Sequence, residues 1–308
     1  MREVVDLRSV RTERRAQLGA FLKSRRAKIT PGDVGLPPGP RRRTPGLRRE
    51  EVAQLSGIGI TWYTWLEQGR PINASIQVLD AVSRTLRLDQ AEKAHLYSLA
   101  DLPTVPSEAV AEAAIPPGVP LILDQLDPLP AVLVSPKFDV LAHNGAYRAL
   151  FPCFTDNVLR RVFTTPDCCN PYAHNTDDLR RMVAYLRGAY AKHFDDPTWQ
   201  GLVHGLCTDS PAFATLWASN DVAVPISLIK EARHLAIGSI TLHLTNLSLP
   251  LIDGAWVQIF TPVDEVQGAR LTRLLAMSDE RRRAVWVDHV AQWHGAARPA
   301  PVGLQRWE

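Results

Sequence analysis

The sequence predicts an α domain followed by an α+β domain, the second built on an antiparallel sheet with flanking helices. Three observations carry this. Five helical segments can be read from apolar spacing in the first hundred residues. A stretch holding Pro103, Pro106, Pro116, Pro117 and Pro120 then suits a connection better than a packed element. Beyond it, runs that alternate with period two appear among further helical segments. Residues 1–100 are therefore read as one domain and 101–116 as a linker. Residues 117–264 form the second domain, and 265–308 a C-terminal helical extension and tail.

In chain order, residues 8–27 place Leu18, Phe21 and Leu22 on one helical face. Pro31, Gly32, Pro37, Pro38, Gly39, Pro40 and Pro45 interrupt the next stretch. Helix resumes over 47–56, with Leu47, Val52 and Leu55 expected inward. A tight turn at Gly57-Ile58-Gly59 leads to a short helix over 60–68, which Gly69 can end. Ser75 and Asp89 suit the N-caps of helices running through Leu86 and Leu99. In the second half, 131–135 (AVLVS) and 139–144 (DVLAHN) read as two strands, and 145–151 as helix. Helices are expected over 177–194, 198–207 and 211–219, strands over 237–247 and 255–261, and one long helix over 271–293.

Composition narrows the function classes. The 308 residues suffice for two cores, and 45% hydrophobic with 22% charged residues is ordinary for a globular protein. No apolar run is long enough for a membrane span, and the N-terminus lacks the apolar stretch of a secretory signal. A cytoplasmic location is expected. Cys153, Cys168, Cys169 and Cys207 make no disulfide framework in a chain of this length. Residues 1–100 hold 18 of the 35 Lys and Arg against 10 of the 32 Asp and Glu. That basic excess suits a polyanion, and the rest of the chain lacks it.

The most informative stretch is 47–69, LRREEVAQLSGIGITWYTWLEQG. A helix-turn-helix needs a small residue where its helices approach, here Ala53, and a glycine in the turn, here Gly57. It also needs apolar residues to lock the second helix, here Val52, Leu55, Ile58, Tyr63 and Leu66. The segment resembles the Cro and phage-repressor class, the xenobiotic-response-element-type regulators, which share the closing Leu66-Glu67-Gln68-Gly69. The resemblance implies that Glu67 pairs with Arg25 or Arg26 on the first helix, as scaffold. More narrowly, Leu36-Pro37-Pro38-Gly39, the basic run Arg41–Ala53 and Leu66-Glu67-Gln68-Gly69-Arg70 are similar to a bacterial branch with a Pro/Gly-rich insertion. In that branch a MmyB-like ligand-binding domain, with a PAS-like sheet, usually follows.

The resemblance implies roles. Ile60, Thr61, Thr64 and Trp65 would face base edges in the major groove. Arg41, Arg42, Arg43, Arg48, Arg49 and Arg70 would neutralise phosphates, or one of them would reach a minor groove. The helix departs from the usual pattern by carrying Trp62 and Trp65 and no Arg, Asn or Gln before Gln68. Readout would then lean on thymine methyls, Thr hydroxyls and DNA shape. Packing is an equal reading for Trp62, and a solvated loop is the alternative for Arg41–Arg43.

The second half resembles a PAS-type opening over 129–151, where Asn144 starts a helix and Ala146, Ala149 and Leu150 pack beneath the sheet. Such a half-sheet tends to enclose an apolar cavity. The resemblance implies a small hydrophobic ligand, with fatty acids as one type. Candidate walls are Phe151, Phe154, Phe163, Tyr190, Trp217, Leu242 and Leu244, for each of which filled core is the first reading. Residues 164–174 (TTPDCCNPYAH) depart from the family pattern. Cys168 and Cys169, with His174 nearby, lack CxxC or HxxxH spacing, and adjacent cysteines bridge poorly, so no metal or redox role is expected. No GxSxG, GxGxxG, P-loop or HExxH motif is present, and His143, His204, His234 and His243 have no evident catalytic partner. The expectation is a homodimeric regulator of double-stranded DNA, without enzyme activity or cofactor and without a membrane partner. The alternative is a constitutive DNA-binding protein whose second domain only dimerises or binds a protein.

Overall fold

The computed structural model describes residues 7–37, 46–100, 115–172, 175–223, 228–249, 252 and 254–294. Two compact units share these residues. The first contains the described residues of Met1–Pro106, Val183–Cys207 and Ala214–Val224, and the second those of Ser107–Met182, Thr208–Phe213 and Pro225–Glu308.

The N-terminal helices are α1 (Leu7–Lys28), α2 (Arg49–Ser56), α3 (Ile60–Glu67), α4 (Ile76–Thr85) and α5 (Gln90–Leu99), the five expected segments. Their caps follow the sequence. Ser75 accepts a hydrogen bond from the Val78 N–H at 3.4 Å, and Asp89 from the Glu92 N–H at 2.8 Å. Leu18, Phe21 and Leu22 meet Val52, Tyr63, Leu66, Leu79 and Leu96 in one core. Leu55 does not join them: it is 40% exposed, and Ser56 is buried in its stead. On α2 the inward stripe runs through Val52, Ala53 and Ser56, which leaves Leu55 turned about 60° off its near edge. Ser56 donates to the Thr85 hydroxyl at 2.9 Å, which ties α2 to α4.

The rest of the chain forms α6 (Gly118–Gln125), β1 (Ala131–Val134), β2 (Val140–His143), α7 (Gly145–Leu150) and α8 (Val158–Thr164). Then follow α9 (Thr176–Tyr190), α10 (Pro197–Asp209), α11 (Pro211–Ala218), β3 (Leu228–His234), β4 (Gly238–Ser248) and β5 (Trp256–Pro262). Two helices close the described chain, α12 (Glu265–Leu275) and α13 (Asp279–His294). The single helix expected over 271–293 is thus two, divided at 276–278, where the Ser278 hydroxyl accepts from the Arg281 N–H at 3.3 Å. Helices α6 and α8 and strand β3 were not expected.

The strands form one antiparallel sheet in the order β2-β1-β5-β4-β3. Period-two burial on β4 turns Ile240, Leu242 and Leu244 inward, opposite Ala232, Lys230 and Leu228 of β3. Asn144 joins sheet to helix. It is 1% exposed, caps α7 by accepting from the Tyr147 N–H, and also accepts from the Ala131 N–H, both at 3.0 Å. Its amide donates to the Leu123 and Leu129 carbonyls at 3.1 and 2.8 Å. Ala146, Ala149 and Leu150 are buried behind it, as the PAS-type resemblance implies. No described helix is long and apolar enough to cross a membrane.

Candidate nucleic-acid interface and ligand-binding core

The turn between α2 and α3 is set by Gly57, whose φ of 68° is one that side-chain-bearing residues rarely adopt. The Ile58 N–H returns to the Ala53 carbonyl at 3.0 Å, and the Tyr63 N–H to Gly59 at 3.0 Å. With Tyr63 and Leu66 buried, the opposite face of α3 is fixed outward: Ile60 is 47% and Trp65 39% exposed, with Thr61 exposed and Thr64 half-buried. The four residues expected to face bases therefore share one outward face. Trp62 is half-buried against the core.

The ion pair at the end of α3 resolves the choice between Arg25 and Arg26. Arg26 donates from Nε and Nη2 to the two Glu67 oxygens at 2.8 and 2.7 Å, and from Nη1 to the Leu47 carbonyl at 2.7 Å. Arg49 adds a donor to Glu67 at 3.0 Å. Burial pushes the Glu67 carboxyl up, but Arg26 and Arg49 more than offset it and hold it below the ordinary carboxylate range. The same hydrogen bond raises Arg26. Arg25 instead binds Glu92 at 2.5 Å, the Asn220 carbonyl at 2.7 Å and Asp221 at 3.1 Å.

Of the expected phosphate ligands, Arg48 and Arg70 are exposed beside α2 and α3, Arg70 lying 5.9 Å over the Trp65 ring. Arg49 is half-exposed, although its charge is shared with Glu67. Arg41, Arg42 and Arg43 lie outside the described residues. The sequence reading missed a cleft of about 360 Å³ whose walls include Arg11, Arg15, Gly69, Arg70 and Asn73. Arg11 and Arg15 lie one helical turn apart on α1, a spacing that could have marked them.

The aromatic candidates fall into separate groups. Phe151, Phe154, Leu242 and Leu244 belong to the second unit and are buried. Phe151 stacks on Tyr172 at 5.7 Å and meets Phe260 at 5.2 Å, while Phe154 meets Tyr172 edge-on at 5.9 Å. Phe163, half-buried, meets Phe213 edge-on at 5.2 Å in the same unit. Tyr190 and Trp217 belong to the first unit and meet each other at 5.7 Å. Two buried cations beside these rings escaped the sequence reading. Lys230 lies 4.7 Å over Tyr172 and 3.6 Å from buried Asp178. Arg187 lies 3.9 Å over Trp217, and burial pushes it down to about 10. An isolated Lys or Arg in sequence carries no sign of such burial.

Residues 115–274 match the family described as the MmyB-like transcription regulator ligand binding domain. Residues 17–96 match the family described as a helix-turn-helix domain. No curated protein matches the chain. Both families are regulatory.

Proposed function

The chain belongs to the MmyB-like transcription regulators, and from that premise we propose that it is a one-component regulator whose DNA affinity is tuned by a small hydrophobic ligand. Residues 1–100 are assigned to DNA and 117–264 to the ligand. The observation that carries the DNA half is the outward face of α3, held against α1 by the buried Arg26–Glu67 pair. In the major groove, Ile60, Thr61, Thr64 and Trp65 would contact base edges, thymine methyls being the natural partners of Ile60 and Trp65. Arg48, Arg70 and the run Arg41–Arg43 would hold phosphates, with Arg49 contributing the charge that Glu67 leaves. Arg11 and Arg15 extend that basic surface. In the second domain, the cluster of Phe151 and Phe154, together with the buried Leu242 and Leu244 of β4, is the proposed seat of the ligand.

Fluorescence anisotropy with DNA from upstream of the chain's own gene, across a salt series, tests the DNA half. Tight, salt-steep and sequence-selective binding is expected, and binding no better than to random DNA, with or without a lipid extract, would overturn it. Replacing Arg42 and Arg43 together by Ala should weaken binding to all sequences and reduce the salt slope by about two. Unchanged salt dependence would remove that segment from the interface. Denaturing the purified protein and analysing the released small molecules by mass spectrometry tests the ligand half. A second domain that carries no lipid and leaves DNA affinity unaltered by added fatty acid would instead be the constitutive, dimerising protein.

A further inference from the structure

The second unit brings together three soft donors that no spacing in the sequence announces. Cys168 and Cys169 lie in the turn between α8 and α9. That turn is held by the Cys169 N–H on the Pro166 carbonyl at 2.9 Å and by Asn170. The buried Asn170 amide donates to the Val162 carbonyl at 2.7 Å, and its oxygen accepts from the Tyr172 N–H at 3.0 Å. His289 comes from α13, whose inward stripe runs through Arg282, Val285, Trp286 and His289. Trp286, one turn before His289, is buried and meets His234 edge-on at 5.9 Å, which seats the helix.

The two sulfurs are 3.7 Å apart, and the two Sγ atoms and an imidazole nitrogen all lie within 4.8 Å of one another. That separation is non-bonded, so no disulfide joins the two sulfurs. It also matches a tetrahedral zinc-type site. Two thiolates at about 2.3 Å from a tetrahedral zinc are held about 3.8 Å apart, and a thiolate and an imidazole about 3.6 Å apart. The sulfurs already sit at the required spacing, and the imidazole has at most about 1.2 Å to close. Sulfur and imidazole select borderline-soft cations, whereas Mg²⁺ and Ca²⁺ want oxygen.

We propose that Cys168, Cys169 and His289 form a binding site for a thiophilic divalent cation of the Zn²⁺ type, with the fourth position left to water or an exogenous donor. Binding releases the two thiol protons to solvent, takes the imidazole lone pair, and changes no oxidation state. Because its ligands stand 120 positions apart, between residues 169 and 289, the ion would clip α13 to the α8–α9 turn and stabilise the second unit. This assignment is independent of the reading of DNA and hydrophobic ligand.

The test uses the full chain, stripped with a chelator, kept reduced with a phosphine, and titrated with Co²⁺ as a spectroscopic probe. A thiolate-to-cobalt charge-transfer band with tetrahedral d–d absorption is expected, saturating at one ion per chain and abolished by added Zn²⁺. Cys168→Ser, at a half-buried position, should lose most of the band, and His289→Gln should weaken binding at least about tenfold. Cys207→Ser, in the first unit, should keep it, and far-UV circular dichroism and the urea midpoint of each apo variant check the fold. A reduced chain that shows no charge-transfer band in excess Co²⁺ would overturn the proposal. So would a band that survives Cys168→Ser or disappears with Cys207→Ser.

Discussion

At the scale of single residues, the Arg26–Glu67 pair governs the first domain. Glu67 is buried on a helix that presents its other face to solvent, and its two oxygens accept from both Arg26 and Arg49. Glu67→Gln keeps the shape and leaves the Arg26 guanidinium buried without a counter-charge. Loss of one partner from such a pair costs about 3–5 kcal/mol, so the urea midpoint should fall by that equivalent. The double variant Arg26→Met, Glu67→Met should recover part of the loss. Two buried histidines contribute to the loss of stability in mild acid. Burial pushes His95 down to about 3, with Arg187 and Arg25 adding to the effect, and pushes His234 down to about 4. Both stay neutral in the folded chain while the unfolded chain protonates near its ordinary value of about 6.5. Stability is therefore undiminished above that value and falls as pH drops through the window beneath it, by about 1.4 kcal/mol per pH unit for each histidine. Urea midpoints between pH 7 and 4.5 read this directly. His95→Gln should flatten the slope by about half, and an unchanged slope would remove His95 from the account.

At the scale of elements, α1 approaches α3 through Gly19. A β-carbon placed there would meet the Glu67 carbonyl oxygen at 2.3 Å, a backbone atom with no rotamer to yield. Gly19→Ala should therefore destabilise the first unit by about 1–3 kcal/mol although alanine is the better helix former. A rise in thermal midpoint would mean that the helices part without cost. This approach was not legible in the sequence, because a glycine within a helix looks the same whether it faces solvent or a neighbouring backbone. What was legible had local causes: caps at Ser75, Asp89 and Asn144, the turn at Gly57, and the period-two run of β4. Leu55 misled because the spacing from Val52 fits either edge of a helical stripe, and only the position of α4 selects Ser56. Strand β3 was missed because its inward row includes Lys230 and His234, two polar residues buried by partners elsewhere in the chain. The metal-ligand cluster was missed for a related reason. His289 joins the cysteines only through the course of α13, and the candidate nearest in sequence, His174, lies outside the described residues.

At the scale of the whole molecule, the basic excess of the first hundred residues has two uses, and sequence suggested one. Part of it is paired within the first unit. Arg14 pairs with Asp195 at 3.0 Å, while Arg25 and Lys28 share Asp221 at 3.1 and 2.5 Å. Both aspartates lie inside the stretch that matches the ligand-binding family, and they are packed with α1 in the first unit. Within the first unit, a change in 183–207 or 214–223 therefore has a charged route to the helix that holds Glu67 in place. If a ligand acts along that route, Asp221→Asn should leave basal DNA affinity nearly unchanged and reduce the ligand-dependent shift in affinity several-fold. Anisotropy with and without added fatty acid measures both quantities. Equal shifts in the two proteins would place the coupling elsewhere, for instance in the separation of two DNA heads. That geometry has its own consequence. A two-fold dimer would present its two α3 helices to half-sites about 34 Å, or one helical turn, apart. Inserting five base pairs between half-sites would put the second on the opposite side of the duplex and should cost most of the specific affinity, whereas inserting ten should restore it where the linker reaches. Affinity indifferent to the insertion would mean that each chain binds alone, and a ligand could then act only within one chain, through contacts such as those at Asp221.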